Sequence, residues 1–404
     1  MPEKPEGLRG HLGALAQRIY PNLDERAFTR NRRKLRKSVL AGHDLATMPH
    51  GPIVNNLPPH VVVVPSEGSD FPTWGPALGN FYFEVAGNLT DLVGSPSVSV
   101  FHIASGTPVQ EWHRALLAYL IDSGATHLIT HIESDPGSGG ASFTWDSFME
   151  LADRHWGGVV LGVMFDSSYR FTTFQSRVLA RMSSRFMVVD ICMPMNDTMK
   201  KGRVEVGPVN RPMSAETLRL IAERVTITPK AHDVSFIGVL YPYRLEIVEK
   251  LRTYGLTVAV NPHRSDAQLD TAASRANQPS WLDYMAGLAS SKATINFSQS
   301  SAGPFQQLKW RVIEAGLANT FLFTDDRDRT RLFWNQDSYG YFTEPESLPS
   351  VVETWFESEH GLVSASNAFH DRAVEISKTQ FWGAIEQGLV LRGLPSISKT
   401  LLNY

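Results

Sequence analysis

The feature that most constrains this chain is an alternation of strand-like and helix-like segments that occurs twice along it. In the first half, short apolar and β-branched runs lie at residues 60–65, 98–103, 126–132, 159–165 and 186–191. Segments with helical spacing of apolar residues separate them, as at 81–92 and 110–123. Strands that alternate with helices form parallel sheets covered by helices on both faces. The first half therefore predicts an open α/β domain.

A second series of the same kind follows the proline-punctuated stretch 193–230. Its strand-like runs lie at 233–240, 257–260, 293–297 and 320–323, and its helix-like segments at 244–254, 281–290, 309–316 and 347–390. A length of 404 residues suits two hydrophobic cores better than one. We predict a polar, partly helical extension (1–50), a first domain (51–215), a second domain (216–385), and a tail (386–404) that packs back on the first domain.

Charge and cysteine content exclude several classes of protein. The net charge of −3 and the pI of about 6.5 provide no overall field that attracts nucleic acid or an anionic membrane. The single cysteine, Cys192, permits neither an intrachain disulfide nor a cysteine zinc site, which fits a reducing compartment. No signal-peptide core lies in residues 1–10, and no apolar run approaches the ~20 residues of a membrane span. We therefore predict a cytoplasmic protein with no transmembrane segment and no nucleic-acid partner.

One local exception to this charge balance lies in the N-terminal extension. It is a dense basic run made of Arg30, Arg32, Arg33, Lys34, Arg36 and Lys37. One interpretation is peripheral contact of residues 30–37 with an anionic membrane surface or a phosphate-bearing acceptor. The other is a solvated helix face that Asp24 and Glu25 balance.

Ligands of open parallel sheets bind outside the carboxyl ends of the strands, so the loops there carry the candidate site residues. The run Phe236-Ile237-Gly238 ends in a glycine, and Tyr241 and Arg244 follow at the start of a helix. A glycine lets a ligand approach the backbone, a helix N-terminus favours an anion, and arginine binds phosphate with two hydrogen bonds. The alternative is a simple turn at Gly238 and a surface cation at Arg244.

A second candidate follows the strand-like run 293–297, which contains Asn296. A small, polar loop leads into the helix-like segment LKWRVIEAG at 308–316. Lys309 and Arg311 are suited to neutralising phosphates, and the Glu314 carboxylate can accept two hydrogen bonds from a ribose diol. The alternative is a helix with a stabilising charge pattern.

The order of DVSFIGVLYPYR, ATINFS and LKWRVIEAG resembles the donor-binding domain of GT-B glycosyltransferases, nearest to their spore-maturation-protein-like branch. The resemblance implies two Rossmann-like domains facing across a cleft, a nucleotide-sugar donor, no catalytic metal and no other cofactor. It implies that Glu314 holds the donor ribose and that Arg244 with Lys309 or Arg311 holds the diphosphate. The predicted donor-binding set is Gly238, Tyr241, Arg244, Asn296, Gln306, Lys309, Arg311 and Glu314.

The segment departs from the family pattern at one position. Retaining members often carry a second glutamate eight positions before the ribose-binding one, and this chain has Gln306 there. A glutamine still hydrogen-bonds a sugar hydroxyl but carries no charge. The identity of the sugar and the stereochemical outcome therefore stay open.

The first half offers the residues that activate the acceptor. A transferase needs a general base for the acceptor hydroxyl, and the candidates at or just after the ends of strand-like runs are His131, Glu133, Asp135 and Asp166. The alternative for Asp135 and Asp166 is helix capping. Asp70 and Trp74 lie in a loop that is suited to the acceptor side of the cleft, where the indole either stacks on a sugar or packs in the core or rim.

A charged run at 325–331 contains Asp326 and Asp328 with the spacing that some metal-dependent transferases use. We interpret it as a solvated loop. The predicted function is metal-independent transfer of a sugar from a nucleotide sugar to a glycan, small-molecule or protein acceptor. Two alternatives stay open: an epimerase or hydrolase that consumes donor alone, and a binding protein without activity.

Overall fold

The structure is a computed structural model of the whole chain. It describes residues 25–51, 57–65, 79–94, 97–104, 106–133, 144–165, 167, 170–192, 204–238, 240, 242–262, 281–299 and 306–403. Six residues that the sequence analysis singles out lie outside these ranges: Asp24, Asp70, Trp74, Asp135, Asp166 and Tyr241.

The first domain is built on a six-stranded parallel sheet with strand order β2-β1-β3-β4-β5-β6. Its strands are β1 (Val61–Val64), β2 (Val98–Val100), β3 (His127–His131), β4 (Val159–Met164), β5 (Phe186–Asp190) and β6 (Val204–Val206). The helices are α1 (Glu25–Ala41), α2 (Phe81–Val93), α3 (Val109–Asp122), α4 (Trp145–His155) and α5 (Arg170–Met182).

The second domain is built on a five-stranded parallel sheet with strand order β11-β10-β9-β7-β8. Its strands are β7 (His232–Phe236), β8 (Val258–Val260), β9 (Ser291–Asn296), β10 (Phe321–Thr324) and β11 (Gly340–Tyr341). The helices are α6 (Ala215–Thr226), α7 (Pro242–Thr253), α8 (Trp281–Ala289), α9 (Trp310–Leu317), α10 (Arg327–Phe333), α11 (Leu348–Phe356) and α12 (Glu359–Leu391).

Each sheet is covered on both faces, as the apolar runs predict. Along β1, Val62 and Val64 pack into one buried cluster, while Val61 and Val63 pack into the cluster on the opposite face. Successive side chains of a strand point to opposite faces, so a run of four valines needs apolar partners on both sides. The same holds for β10, where Leu322 faces one cluster and its two phenylalanine neighbours face the other.

Helix α12 links the two domains. Its 33 residues extend over roughly 50 Å. Phe369 packs in the second domain, whereas Trp382 and Leu389 pack under the first sheet. The segment after the helix contacts the first domain as well, because the buried imidazole of His127 is 2.9 Å from the carbonyl oxygen of Pro395. The domain boundaries stay predictions, but the chain returns to its first core at this end.

Two local features differ from the sequence-based expectations. Strand β6 lies inside the stretch assigned to the domain boundary, because an edge strand of three residues carries too little apolar pattern to detect. The charged run is not a solvated loop: Asp326 is fully buried and accepts a hydrogen bond from the Arg329 backbone N–H at the start of α10. Within the described ranges, no helix combines the length and apolarity needed to cross a membrane.

Candidate functional site

The carboxyl edges of the two sheets meet at an interdomain interface formed by Phe81, Phe165, Arg211, Trp281 and Trp310. The indole of Trp310, the first residue of α9, stacks on Phe81 with ring centroids 5.5 Å apart. It also contacts Phe165 edge-on, at 5.2 Å. Phe165 follows β4 directly, so the interface places the start of a second-domain helix against the carboxyl edge of the first sheet.

Two predicted catalytic residues lie together at this edge. The His131 Nε2 atom is 3.6 Å from the Glu133 carboxylate, and both side chains are mostly buried. The imidazole stacks on Phe165 at 5.4 Å. Burial lowers the pKa of His131 to about 4, so the ring is neutral at pH 7. Its Nδ1 atom has no hydrogen-bond partner within the described part of the chain.

Tyr82 is a neighbour of this pair that the sequence analysis does not identify. Its ring is edge-on to His131, with centroids 6.4 Å apart. Burial and the nearby Glu133 carboxylate raise the pKa of Tyr82. The buried hydroxyl lacks a hydrogen-bond partner among the described residues. A buried polar group without a partner is costly, so it marks a place where a ligand or water is expected.

Arg211 is the second residue that the sequence analysis misses. It belongs to the segment between β6 and α6, and its side chain is 3% exposed. The guanidinium lies between the rings of Trp281 and Trp310, at 5.1 and 4.7 Å. Burial lowers its pKa, while the carboxylates of Glu314 and Glu84 oppose that shift. Its Nε and Nη2 atoms have no partner in the described ranges.

The predicted ribose-binding carboxylate is held at this interface. Glu314 is 6% exposed, and Arg211 Nη1 is 3.4 Å from it. The hydroxyl of Tyr284 donates a second hydrogen bond to the same carboxylate. Glu314 therefore is a buried carboxylate with two donors around it, placed where the domains meet.

Arg311 connects this group to the end of β7. Its Nη2 donates to the carbonyl of Ile237 at 2.9 Å, and its guanidinium lies 5.1 Å above the Tyr284 ring. Gly238 follows with φ of +141°, a conformation that favours glycine. The carboxamide of Asn261 accepts a hydrogen bond from the Gly238 backbone N–H at 2.8 Å. The predicted glycine turn is thus held rigidly beside Arg311.

Other predicted donor residues lie further along the same edge. Arg244 is half-buried over the rings of Phe236 and Phe297, at 5.8 and 5.5 Å. Its charge acts on Asp325, although burial raises the pKa of that carboxyl overall. Gln306 is exposed and donates to the Asp325 carbonyl at 2.8 Å. These residues surround the ends of β9 and β10 rather than Glu314.

Asn296 and Lys309 are more buried than expected for side chains that are available to bind a ligand. Asn296 is 3% exposed and donates to the Thr324 hydroxyl at 2.9 Å, which joins β9 to β10. Lys309 is the residue before α9 and is partly buried. Across the described residues, no three histidine, cysteine, aspartate or glutamate side chains converge as a metal site.

The neighbouring residues Asp326 and Asp328 do not form a shared site. Asp326 caps α10, and burial raises its pKa to about 6. Asp328 is exposed and pairs with Arg331 at 3.2 Å. The spacing that suggested a divalent ion therefore arises from a helix cap followed by a surface ion pair.

The fold is similar to that of several solved structures. The sucrose-phosphate synthase of Thermosynechococcus elongatus superposes with a TM-score of 0.50, covering 83% of this chain and 98% of that chain at 10% identity. Anabaena HepE in complex with UDP gives 0.48, with 83% and 100% covered at 11% identity. A DNA-modifying beta-glucosyltransferase, solved with and without uridine diphosphoglucose, gives 0.46, with 82% and 99% covered at 12% identity.

No protein-family model matches the chain, and no curated protein matches its sequence. The likeness to solved structures therefore concerns the fold. Two parallel α/β domains facing each other at their carboxyl edges form the GT-B architecture, and the predicted fold class is confirmed.

Proposed function

We propose that this protein is a glycosyltransferase that binds a nucleotide-activated sugar in the second domain and transfers the sugar to a hydroxyl group presented from the first. One observation carries the proposal. An unbroken series of contacts crosses the interdomain interface, from Glu314 through Arg211 and Trp310 to Phe165 and His131. The GT-B fold supports the same assignment, since it places two substrates between two domains.

The donor side of this interface is rich in hydrogen-bond donors. Arg211, Arg311 and Trp310 each carry a buried N–H group without a partner in the described part of the chain. Each unfilled donor costs free energy, and the many acceptor oxygens of a diphosphate are suited to such donors. Glu314 then exchanges its bonds from Tyr284 and Arg211 for the ribose hydroxyls. Arg244 and Lys309 extend the positive charge along the same edge.

The acceptor side supplies the general base. His131 directs Nε2 at Glu133, and its buried Nδ1 has no partner among the described residues. The acceptor hydroxyl loses its proton to Nδ1, its oxygen forms a bond to the anomeric carbon, and the bond from that carbon to the diphosphate breaks. Glu133 stabilises the imidazolium that forms, and the arginines stabilise the departing diphosphate. Direct displacement of this kind inverts the anomeric configuration.

We further propose that the transfer needs no resident metal, because arginine side chains supply the positive charge. Activity is expected to survive EDTA treatment. A loss of activity that Mg²⁺ or Mn²⁺ restores contradicts this part of the proposal.

The decisive experiment is a screen of nucleotides and nucleotide sugars for thermal stabilisation, followed by calorimetry with the best ligand. A ligand that binds only the native protein raises its melting temperature. Glu314→Gln keeps the shape of the side chain and avoids leaving Arg211 beside a cavity. We expect it to weaken nucleotide binding roughly tenfold, because a ribose diol bonds a charged carboxylate more strongly than an amide.

Glu375→Gln is the matched control, since Glu375 lies on the exposed face of α12 and pairs with Arg372. The control is expected to bind nucleotide like the wild type. If no nucleotide stabilises the wild type, or if Glu314→Gln binds as tightly as the control, the donor site is wrong.

Two other functions give different results in the same assays. An epimerase or hydrolase consumes the nucleotide sugar at full rate without any acceptor. A protein that only binds its ligand loses no activity when His131 and Glu133 are replaced. The spore-maturation-protein-like branch is our proposal for the nearest relatives, and it is supported by the order of the three motifs in the second domain.

A further inference from the structure

The dense basic run of the N-terminal extension divides into two sets of side chains on helix α1. One set, which we call the basic stripe, consists of Arg30, Arg33, Lys34 and Lys37, all of them exposed. The spacing i, i+3, i+4, i+7 places these four on one face of the helix. The stripe is roughly 10 Å long, since each residue adds 1.5 Å along the axis.

The other set holds the helix against the first domain. Arg32 is 2% exposed and forms an ion pair with the equally buried Asp146 of α4. Arg36 lies 3.2 Å from Glu150, one turn further along α4. These partners fix the rotation of α1 about its axis, so the basic stripe points to solvent in a defined direction.

Among the side chains that the structure describes, which in α1 begin at Arg30, no acidic group pairs with the four cations of the stripe. Other exposed arginines do pair with acids: Arg219 with Glu216 and Arg252 with Glu249. The chain as a whole has a net charge of −3, so the stripe is a local concentration of positive charge on an otherwise acidic protein.

The stripe also has a defined place relative to the candidate site. Residues 32 and 36 of α1 pair with 146 and 150 of α4, so the two helices run in the same direction. Helix α4 begins after β3 and therefore starts at the carboxyl edge of the first sheet. The N-terminal end of the stripe consequently lies towards the edge that holds His131 and Glu133.

We propose that the basic stripe docks this protein on an anionic bilayer surface, which places the acceptor side of the interdomain interface beside that surface, beyond the N-terminal end of the stripe. A straight row of cations on the outside of a domain matches a plane of negative headgroups. Recognition of single-stranded nucleic acid uses aromatic side chains interleaved with the cations, and residues 30–37 contain none. Docking of the stripe on a bilayer does not depend on the proposed function, whereas the position of the acceptor side beside the bilayer rests on it.

The experiment is co-sedimentation of the full chain with vesicles of phosphatidylcholine alone or with 30% phosphatidylglycerol. The stripe variant carries Arg30→Gln, Arg33→Gln, Lys34→Gln and Lys37→Gln. The control variant carries Arg219→Gln, Arg252→Gln, Arg331→Gln and Arg372→Gln, which removes the same charge from exposed positions of the second domain. Melting temperatures check that both variants fold.

We expect the wild type and the control to bind only the anionic vesicles, and the binding to decline as salt increases. The stripe variant is expected to lose binding roughly 100-fold. Three results overturn the proposal: no binding by the wild type, an equal loss in the control, or stripe-dependent binding to heparin or single-stranded DNA without binding to vesicles. Nucleotide calorimetry on the stripe variant separates the two proposals, since the donor site must bind its ligand whether or not the vesicle result holds.

Discussion

The first domain brings a histidine, a tyrosine and a glutamate to its carboxyl edge, whereas the second domain and the connecting segment bring arginines around one glutamate. Both edges belong to parallel sheets with helices on both faces, so the architecture does not explain the difference. The difference lies in the neighbouring charges. Burial lowers the pKa of both His131 and Arg211, but at Arg211 the carboxylates of Glu314 and Glu84 oppose that shift. Under the proposed function, proton transfer belongs to the first domain, and anion binding belongs to the second domain and the connecting segment.

The largest effect is expected when the imidazole is removed from the first domain, which tests whether the two proposed roles are separate. His131→Asn is expected to lower the turnover of nucleotide sugar with acceptor about 10³-fold, because it removes the proposed general base. The nucleotide affinity, which depends on the second domain, is expected to stay within twofold. Nucleoside diphosphate release and calorimetry measure the two quantities. Equal losses in turnover and affinity would show that the two roles are not separated.

The reciprocal change removes a cation from the second domain. Arg311→Gln is expected to raise the Kd of the nucleoside diphosphate roughly 10–100-fold, since it deletes charge-assisted hydrogen bonds. The affinity for the unphosphorylated nucleoside should change little. Arg331→Gln is the matched control, because that arginine is exposed and pairs with Asp328. A loss of equal size for nucleoside and nucleotide would assign Arg311 to the packing of Tyr284 instead.

A third change tests whether the contact of Gly79 with Trp281 at the interdomain interface stabilises the protein. Gly79 has φ of +75°, and a Cβ atom there would lie 2.2 Å from the Trp281 ring. Gly79→Ala is expected to displace the Trp281 ring, which packs against the Arg211 guanidinium. We expect it to lower the free energy of unfolding by about 2 kcal/mol. Gly255→Ala, at φ of +79° in open space, is the control for backbone strain alone. Urea unfolding measures the loss of unfolding free energy in both variants. Equal losses would mean that the contact with Trp281 does not contribute to stability.

The smallest expected effect is a difference in acid sensitivity between the domains. Burial lowers the pKa of His127 and His131 to about 4 and that of His113 to about 3. Between pH 6.5 and 4 the unfolded chain binds protons at these positions and the folded first domain does not, so its stability falls as the pH falls. Asp326 in the second domain has a pKa raised to about 6 and acts in the opposite direction, because its folded form binds the proton first.

Hydrogen exchange at pH 7.5 and 5.0, corrected for intrinsic rates, measures this difference. Protection of β3 and α3 is expected to decrease at the lower pH by more than protection of β9 and β10. Uniform loss over both sheets would indicate that the two domains open as a single unit.

Much of the fold follows from local sequence patterns. Four consecutive valines require a strand that is buried on both faces, and the strand β1 has that environment. The helix predicted at 244–254 begins two residues earlier, at Pro242, because proline is suited to the first turn of a helix. Part of the candidate site was predictable in the same way, because His131 ends β3, Gly238 lies just after β7 and Glu314 lies in the helix after β9.

Local patterns in the chain specify which segments become strands and helices and which edge of each sheet carries polar residues, because periodicity and strand–helix order act over short distances. The contact of Arg211 with Glu314 across 103 residues, the stacking of Trp310 on Phe81 and the return of α12 to the first core follow only from the folded arrangement. The energy of such contacts depends on burial and on the position of distant groups. Neither quantity is contained in the local pattern of the chain.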